Sequence, residues 1–239
     1  MRKRIHLSSM ITINIIILSV VFAVAVAGNR VITVITENAP LSNRQCVIID
    51  AGHGGVDGGA TSCTGVLESQ INLEIALRLN DLMHLLGIDT FMIRKTDISV
   101  YTEGESIAAK KVSDLKQRVK LVNEKENAIL LSIHQNHFSD SRYYGSQVFY
   151  AGTSGSELLA KHLQTAIVGS LNPGSKRQTK KADGVYLMQN INNPGVLIEC
   201  GFLSNPEEEA KLRSDTYQKK LCCVIASTIA AYLHDNRIT

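Results

Sequence analysis

No low-complexity tract and no internal repeat interrupts the 239 residues of this chain, so fibrous and repeat architectures are set aside at the outset. The five cysteines (Cys46, Cys63, Cys200, Cys222 and Cys223) are odd in number and show no CxxC spacing. They do not form a disulfide framework, although pairing of two of them stays open. Cys222 and Cys223 fall in a helical pattern and are expected in the core. Cys63 is near His53 in sequence, but one thiol without partners is weak evidence for a Cys-ligated zinc. A basic field is lacking too. Of the formal charge of +3, Arg2, Lys3 and Arg4 supply three, with no acid before residue 28, so the remainder comes to 0. That balance argues against nucleic acid as a partner. A complete G-x-G-x-x-G is also missing. After Gly52 and Gly54 the third glycine position holds Asp57, and a dinucleotide-binding domain fails on that pattern.

What is present begins with a basic head, Met1-Arg2-Lys3-Arg4, followed by an almost unbroken apolar run from Met10 to Ala27. Ala25-Val26-Ala27 fits a small-x-small cleavage site, and residues 1–27 read as an export signal. The run is close to the ~18 residues that span a bilayer, so cleavage and retention as an anchor both stay open. The alternative is a buried N-terminal helix. Residues 28–44 read as a linker, and residues 45–239 as one catalytic-sized globular domain.

Within that domain, apolar β-branched runs alternate with helical patterns. Cys46 to Asp50 reads as a first buried strand, Asp89 to Lys95 as a second, and Ala128 to His134 as a third. Gly145 to Ala151 and Val196 to Phe202 follow as further strands. Helices are expected from Leu67 to Gly87, with Ile71, Ile75, Leu79, Leu82 and Leu86 on one face, and from about Ser106 to Lys125 and Ser154 to Ser170. Asn205-Pro206-Glu207-Glu208 is a helix start, leading into a long helix with Tyr217, Leu221, Val224, Thr228 and Tyr232 on one face. Strand–helix alternation implies an α/β fold, a mixed and mostly parallel sheet of about six strands with helices on both faces. A basic cluster, Lys176, Arg177, Lys180 and Lys181, lies in a Gly/Pro-containing loop before Val185 to Met188. It reads as a solvated flap or, alternatively, as a contact for an anionic polymer.

The centre of the reading is Val47-Ile48-Ile49-Asp50-Ala51-Gly52-His53-Gly54-Gly55. A buried strand runs into an acid, a histidine and glycines, and ligands of open α/β sheets collect at the carboxyl ends of strands. His134 ends a second apolar strand and can reach the same rim. Glu68 lies three residues before Ile71, on the inward stripe in the first turn of its helix. An anion there also suits the helix dipole, but an inward position at that rim suits a metal better. Two imidazoles and a carboxylate form the ligand set of a catalytic zinc, Zn2+, with the fourth position left to water. Glu199, in mid-strand, costs several kcal/mol to bury unless paired, protonated or beside a cation. It is the candidate general base. An ion pair with a buried arginine, Arg94 or Arg118, is the structural alternative. His84, His162 and His234 read as ordinary helix residues, and His137 as a neighbour of the site.

Four blocks, IIDAGHGGVDGGA, GVLESQINLEIA, LLSIHQN and VLIECGFLSN, resemble in order the signatures of the zinc-dependent N-acetylmuramoyl-L-alanine amidases, the amidase-3 family. The resemblance covers roughly Val47 to His234 and is strongest to the spore-cortex members. It implies zinc on His53, Glu68 and His134, Glu199 as the catalytic glutamate, and hydrolysis of the amide between the muramic lactyl group and L-alanine of peptidoglycan stem peptides. It also implies cortex maturation by muramic-δ-lactam formation, needed for germination, and an exported protein facing glycan strands and stem peptides. Membrane contact would come only through an uncleaved N-terminus. Arginines at the positions of Arg94 and Arg118 are structural or substrate-orienting, and Asn136 is a further candidate substrate contact. The segment from Asn136 to Asp183 leaves little room for the inhibitory helix of some relatives, so metal loading or an activating accessory protein is the expected control. A zinc exopeptidase and, in another class, a non-catalytic peptidoglycan-binding module are the competing readings. Intact His53, Glu68, His134 and Glu199 argue against the second.

Overall fold

The structure, a computed structural model, describes residues 45–235; the export segment and linker expected over 1–27 and 28–44 lie outside the described residues. The elements in order are β1 (Cys46–Ala51), α1 (Glu68–Leu85), β2 (Thr90–Met92), α2 (Ile107–Asn123), β3 (Ala128–Asn136), β4 (Gln147–Tyr150), α3 (Ser156–Leu171), β5 (Lys180–Lys181), α4 (Tyr186–Asn190), β6 (Gly195–Phe202), α5 (Pro206–Leu212) and α6 (Asp215–Asp235). They build one six-stranded sheet in the order β2-β1-β3-β6-β4-β5. β2, β1, β3 and β6 are parallel to one another. β4 runs antiparallel to β6, and β5 runs parallel to β4. The expected α/β fold with a mixed, mostly parallel sheet is what forms.

The continuous apolar runs reflect burial on both sides. Val47, Ile49, Ile129, Leu131, Val196 and Ile198 face a large core closed by α1, α3 and α6. Ile48, Ala128, Leu130 and Leu197 face a smaller one beneath α2 and α4. On α1 the buried stripe is Ile71, Ile75, Leu79 and Met83, and each such side chain contributes roughly 1.5–3 kcal/mol on full burial.

Some boundaries differ from expectation. β2 is three residues long; Ile93 still donates its N–H to the Ile49 carbonyl at 3.1 Å, and Arg94 then leaves the ladder to bond the Ala51 and Gly52 carbonyls. The basic loop contributes the sixth strand, Lys180–Lys181, at the sheet edge, where exposed lysines discourage pairing with other chains. Val185 caps the short helix α4. The C-terminal helix divides in two. Asn205 caps α5 through bonds from the Glu207 and Glu208 N–H groups, and the Gln218 side chain donates to the free Leu212 carbonyl at 2.8 Å. All five cysteines are free thiols; Cys222 is buried as expected, whereas Cys223 is exposed.

The polar feature that fixes the upper end of β1 is fully buried. Asp50 has 0% exposure; it accepts from the Arg118 guanidinium and from the Ser132 hydroxyl at 2.6 Å. Arg118 also donates to Asp114 at 2.5 Å. Burial alone raises the Asp50 carboxyl, but Arg118 and Ser132 outweigh it and hold the group below its ordinary value of 3.8. A carboxylate depressed in the fold contributes stability above its unfolded pKa and loses that contribution as pH falls through the folded one. Arg118→Met, which leaves Asp50 buried without its cation, is expected to cost ~3–5 kcal/mol in urea unfolding at pH 7, with the deficit shrinking as pH falls through the raised pKa of the orphaned carboxyl and on to the depressed wild-type one.

Candidate active site

The carboxyl ends of β1, β3 and β6 meet at one rim. β1 delivers His53 through a turn in which the histidine itself has a φ of 60°, a left-handed conformation costly for a side chain with a Cβ. Two arginines hold that turn. Arg94 donates from Nε to the Ala51 carbonyl at 2.9 Å and from Nη2 to Gly52 at 3.0 Å and Ser69 at 2.8 Å. Arg118 donates from Nη1 to Ala51 at 3.0 Å and from Nη2 to His53 at 2.7 Å. Both guanidiniums are buried and face main-chain oxygen. These bonds answer to the structural one of the two roles expected for them.

Glu68 enters from the first turn of α1 and is 3% exposed. The loop before it supplies the helix cap: Glu68 N–H donates to the Ala60 carbonyl at 2.8 Å and Ser69 N–H to Gly58 at 3.1 Å. The carboxylate is ringed by donors. Oε2 accepts from the Ala60 N–H at 2.9 Å. Oε1 accepts from the Gln135 N–H at 3.1 Å and from Asn72 Nδ2 at 3.2 Å. His53 Nε2 stands 3.3 Å from Oε2, and His134 Nδ1 stands 3.0 Å from Oε1. The two imidazoles meet edge to face with centroids 5.0 Å apart.

His53, Glu68 and His134 therefore each turn a ligand atom to one point, the three atoms lying within 4.8 Å of one another. Two imidazole nitrogens and a carboxylate oxygen suit a divalent ion that accepts mixed N and O donors. Glycines keep the point clear. A Cβ on Gly52 would overlap the His134 ring, and one on Gly59 would stand 2.6 Å from Glu68 Oε2 and 2.7 Å from the His53 ring. On the far side of His53, Nδ1 bonds Asp57 Oδ2 at 2.8 Å, and Asp57 is itself paired with Lys111 at 2.7 Å. A carboxylate behind an imidazole fixes its tautomer and orientation. Burial lowers the His53 pKa, but the hydrogen bonds and charges of Glu68 and then Asp57 prevail and raise it to about 9. Burial raises Glu68, and the bonds from His134 and His53 overcome it, leaving that carboxyl far below its ordinary range.

Glu199 stands beside this cluster and outside it. In the sheet it is the register partner of His134 on β3 and of Gln147 on β4. Its Oε2 is enclosed and has no hydrogen-bond partner. With Arg94 and Arg118 engaged under the β1 turn, the alternative of a buried arginine pair for Glu199 falls away. Burial raises its pKa to about 7, with the His134 and His53 charges pulling down and Glu68 pushing up.

The other expected residues are dispersed. Asn136 lies half-buried at the end of β3, its carbonyl accepting from the Leu203 N–H at 2.8 Å. His137 is exposed and outside the cluster. Cys63 is exposed and distinct from the cluster as well. Sequence reasoning passed over Asp57, Asn72, Gln135 and Lys111. Asn72 was within reach, since it follows Glu68 by four residues on the same helix stripe. Asp57, four residues after His53, was noticed only as a break in the glycine pattern.

The glycine clearance generates a test. Gly52→Ala is expected to weaken divalent-metal binding by about 10–100-fold, the range for disturbing what orients a ligand, read by competition with a chromophoric chelator. Gly169→Ala, in open space on α3, is expected to leave metal binding unchanged and to raise stability by ~0.5–1 kcal/mol.

A family profile described as N-acetylmuramoyl-L-alanine amidase, amidase-3, matches residues 47–231. The germination-specific N-acetylmuramoyl-L-alanine amidase of Bacillus subtilis (strain 168) is 39% identical over 195 residues, 81% of this chain and 81% of that protein. The CwlD amidase from Clostridioides difficile, solved in complex with the GerS lipoprotein, aligns with a TM-score of 0.76 at 36% identity, covering 80% of this chain and 99% of that one. An N-acetylmuramoyl-L-alanine amidase from Clostridium difficile 630 aligns with a TM-score of 0.69 at 31% identity over 80% of this chain and 98% of that one.

Proposed function

The chain belongs to the N-acetylmuramoyl-L-alanine amidase family, and from that premise we propose that it is a zinc enzyme that cuts the amide between the muramic lactyl group and L-alanine of peptidoglycan in the spore cortex. The observation that carries the reading is the His53–Glu68–His134 cluster with Glu199 at its side, whose enclosed Oε2 has no hydrogen-bond partner among the described residues.

His53, Glu68 and His134 would hold the zinc. When bound, the ion supplies a Lewis acid that polarises the amide carbonyl and acidifies a water. Glu199 takes the proton of the attacking water as its oxygen bonds to the lactyl carbon, and returns it to the alanine nitrogen as the C–N bond breaks. Burial of Glu199 favours its neutral form and a cation beside it the anion, opposed influences that suit a group which must both accept and donate a proton. Asp57 keeps the His53 ring aimed, Arg94 and Arg118 keep its turn in place, and Asn136 at the rim is assigned to substrate contact.

The cortex role rests on the germination-specific relative and extends to muramic-δ-lactam formation. We place residues 1–27 as the export segment, 28–44 as a linker and 45–239 as the catalytic domain, which puts the enzyme outside the cytoplasmic membrane, facing peptidoglycan. Between β3 and α4 the described chain holds one helix, α3, which leaves control to metal loading or to a partner. The C. difficile relative was solved with a lipoprotein, and an accessory protein is proposed here as well. Full activity of the purified, zinc-loaded protein alone would remove the need for one.

Glu199→Gln is expected to retain zinc and lose turnover by roughly 10²–10⁴-fold, whereas His53→Ala loses both; equal zinc loss in the two would overturn the assigned roles. Mass spectrometry of digested cortex peptidoglycan is expected to find stem peptides with N-terminal alanine. Release of single amino acids would favour an exopeptidase instead.

A further inference from the structure

We propose that the cleft between the β3–β4 loop and the α3–β5 loop is a subsite for the carboxylate groups of the substrate's peptide arm. The inference rests on the amidase reading and adds to it where the peptide is held. The cleft has a volume of about 700 Å³ and is lined by Asp140, Arg142, Tyr143, Tyr144, Lys176 and Arg177. Three cations face one acid there, and Asp140 is already taken by Arg142 at 2.7 Å. Lys176 and Arg177 form no direct ion pair among the described residues, although the Arg177 charge is felt by the Glu208 carboxyl, whose pKa burial raises and that charge pulls down.

Arg177 is held in place. Its Nε donates to the Tyr144 carbonyl at 2.7 Å and its Nη1 to Gln147 Oε1 at 2.9 Å. Its guanidinium lies 4.6 Å from the centroid of the Phe202 ring. Nη2 has no partner among the described residues. A guanidinium fixed on three sides with a donor to spare is pre-organised for a planar anion. The walls beside it are aromatic: Tyr143 and Tyr144 are 47% and 59% exposed, and Tyr143 packs against Phe202.

The position relative to the cutting point decides which part of the substrate arrives. Gln147, which receives Arg177, is the cross-strand partner of Glu199, and neighbouring strands are ~5 Å apart. Arg177 therefore lies on the β4 side of the candidate base, across the Gln147 side chain. An extended peptide advances ~3.5 Å per residue, so the residues following the scissile alanine reach the cleft within a few steps. A peptide carries carboxylates and a glycan strand carries hydroxyls. Lys176 and the free Nη2 of Arg177 match the former.

The test uses the zinc-loaded full chain and two synthetic muramoyl-peptides, one with free carboxylates and one with all of them amidated. Wild-type enzyme is expected to cleave both, with KM about tenfold lower for the free form. Lys176→Gln is expected to raise KM for the free form more than for the amidated one, and the Lys176→Gln/Arg177→Gln pair, which also loses the tie to Tyr144, to bring the ratio of the two KM values close to one. Calorimetry of the released peptide, as acid and as amide, reads the same preference without turnover. Equal KM for the two wild-type reactions, an equal rise on both substrates, or dependence on glycan length alone would overturn the subsite. Cleavage of neither substrate is the result expected where the accessory protein is required, and the calorimetry then decides the subsite, equal affinity for acid and amide overturning it.

Discussion

Two buried guanidiniums close over the carbonyls of Ala51, Gly52 and His53, and the centre depends on that grip. The β1 strand ends in a turn that gives up regular pairing while still inside the protein. Its carbonyls would each cost about 1–3 kcal/mol if left without donors, and His53 adds the strain of a left-handed backbone. Arg94 from the β2 end and Arg118 from α2 supply the missing donors from two directions. The arginine charges are in turn balanced, for Arg118, by Asp50 and Asp114. A chain of buried charge thus runs from helix α2 to the main-chain carbonyl of His53 without a side chain of the reaction taking part in it.

On that support, two glutamates are driven to opposite states. Glu68 collects two main-chain and side-chain donors on Oε1, another on Oε2, and an imidazole at each oxygen; such an environment favours the anion. Glu199 sits one strand away with an oxygen that nothing satisfies, and burial favours its neutral form. Separating the affinities of neighbouring carboxyls is how one site keeps an anion for holding and a second group for moving protons. The cost of burying Glu199 is accepted at the position where a proton must change hands.

The sheet, its strand content and the three clustered residues were legible because apolar β-branched runs end abruptly in polar residues, and a strand end is where side chains of distant segments converge. Glu68 was legible for another reason, a carboxylate on an otherwise apolar helix stripe. The parts that were not legible depend on side-chain reach. Nothing in the spacing of Arg94 or Arg118 says that a guanidinium will turn back to main-chain oxygen rather than outward to substrate. Asp57 is invisible as a partner of His53 until the turn brings position i+4 behind the ring. Lys180–Lys181 becomes a strand only because β4 offers it an open edge, a tertiary fact that propensity does not carry.

The reversal of the last two strands has a further effect on the rim. In a wholly parallel sheet, every strand would deliver its carboxyl end to the reacting side, and the loops entering the strands would lie on the opposite side. Here β4 and β5 run against β6, so the loops that enter them, 137–146 and 172–179, arrive on the same side as His53, His134 and Glu199. Glu208 secures the first of these loops, accepting from the N–H groups of Gly145 and Phe202 at 2.9 Å each. Arg177 ties the second to the first through the Tyr144 carbonyl. Parallel strands therefore gather the groups that hold and move protons, and antiparallel ones gather the aromatic and basic groups beside them. A single change of strand direction is sufficient to put a chemical centre and a long, charged cleft on one edge of a small domain.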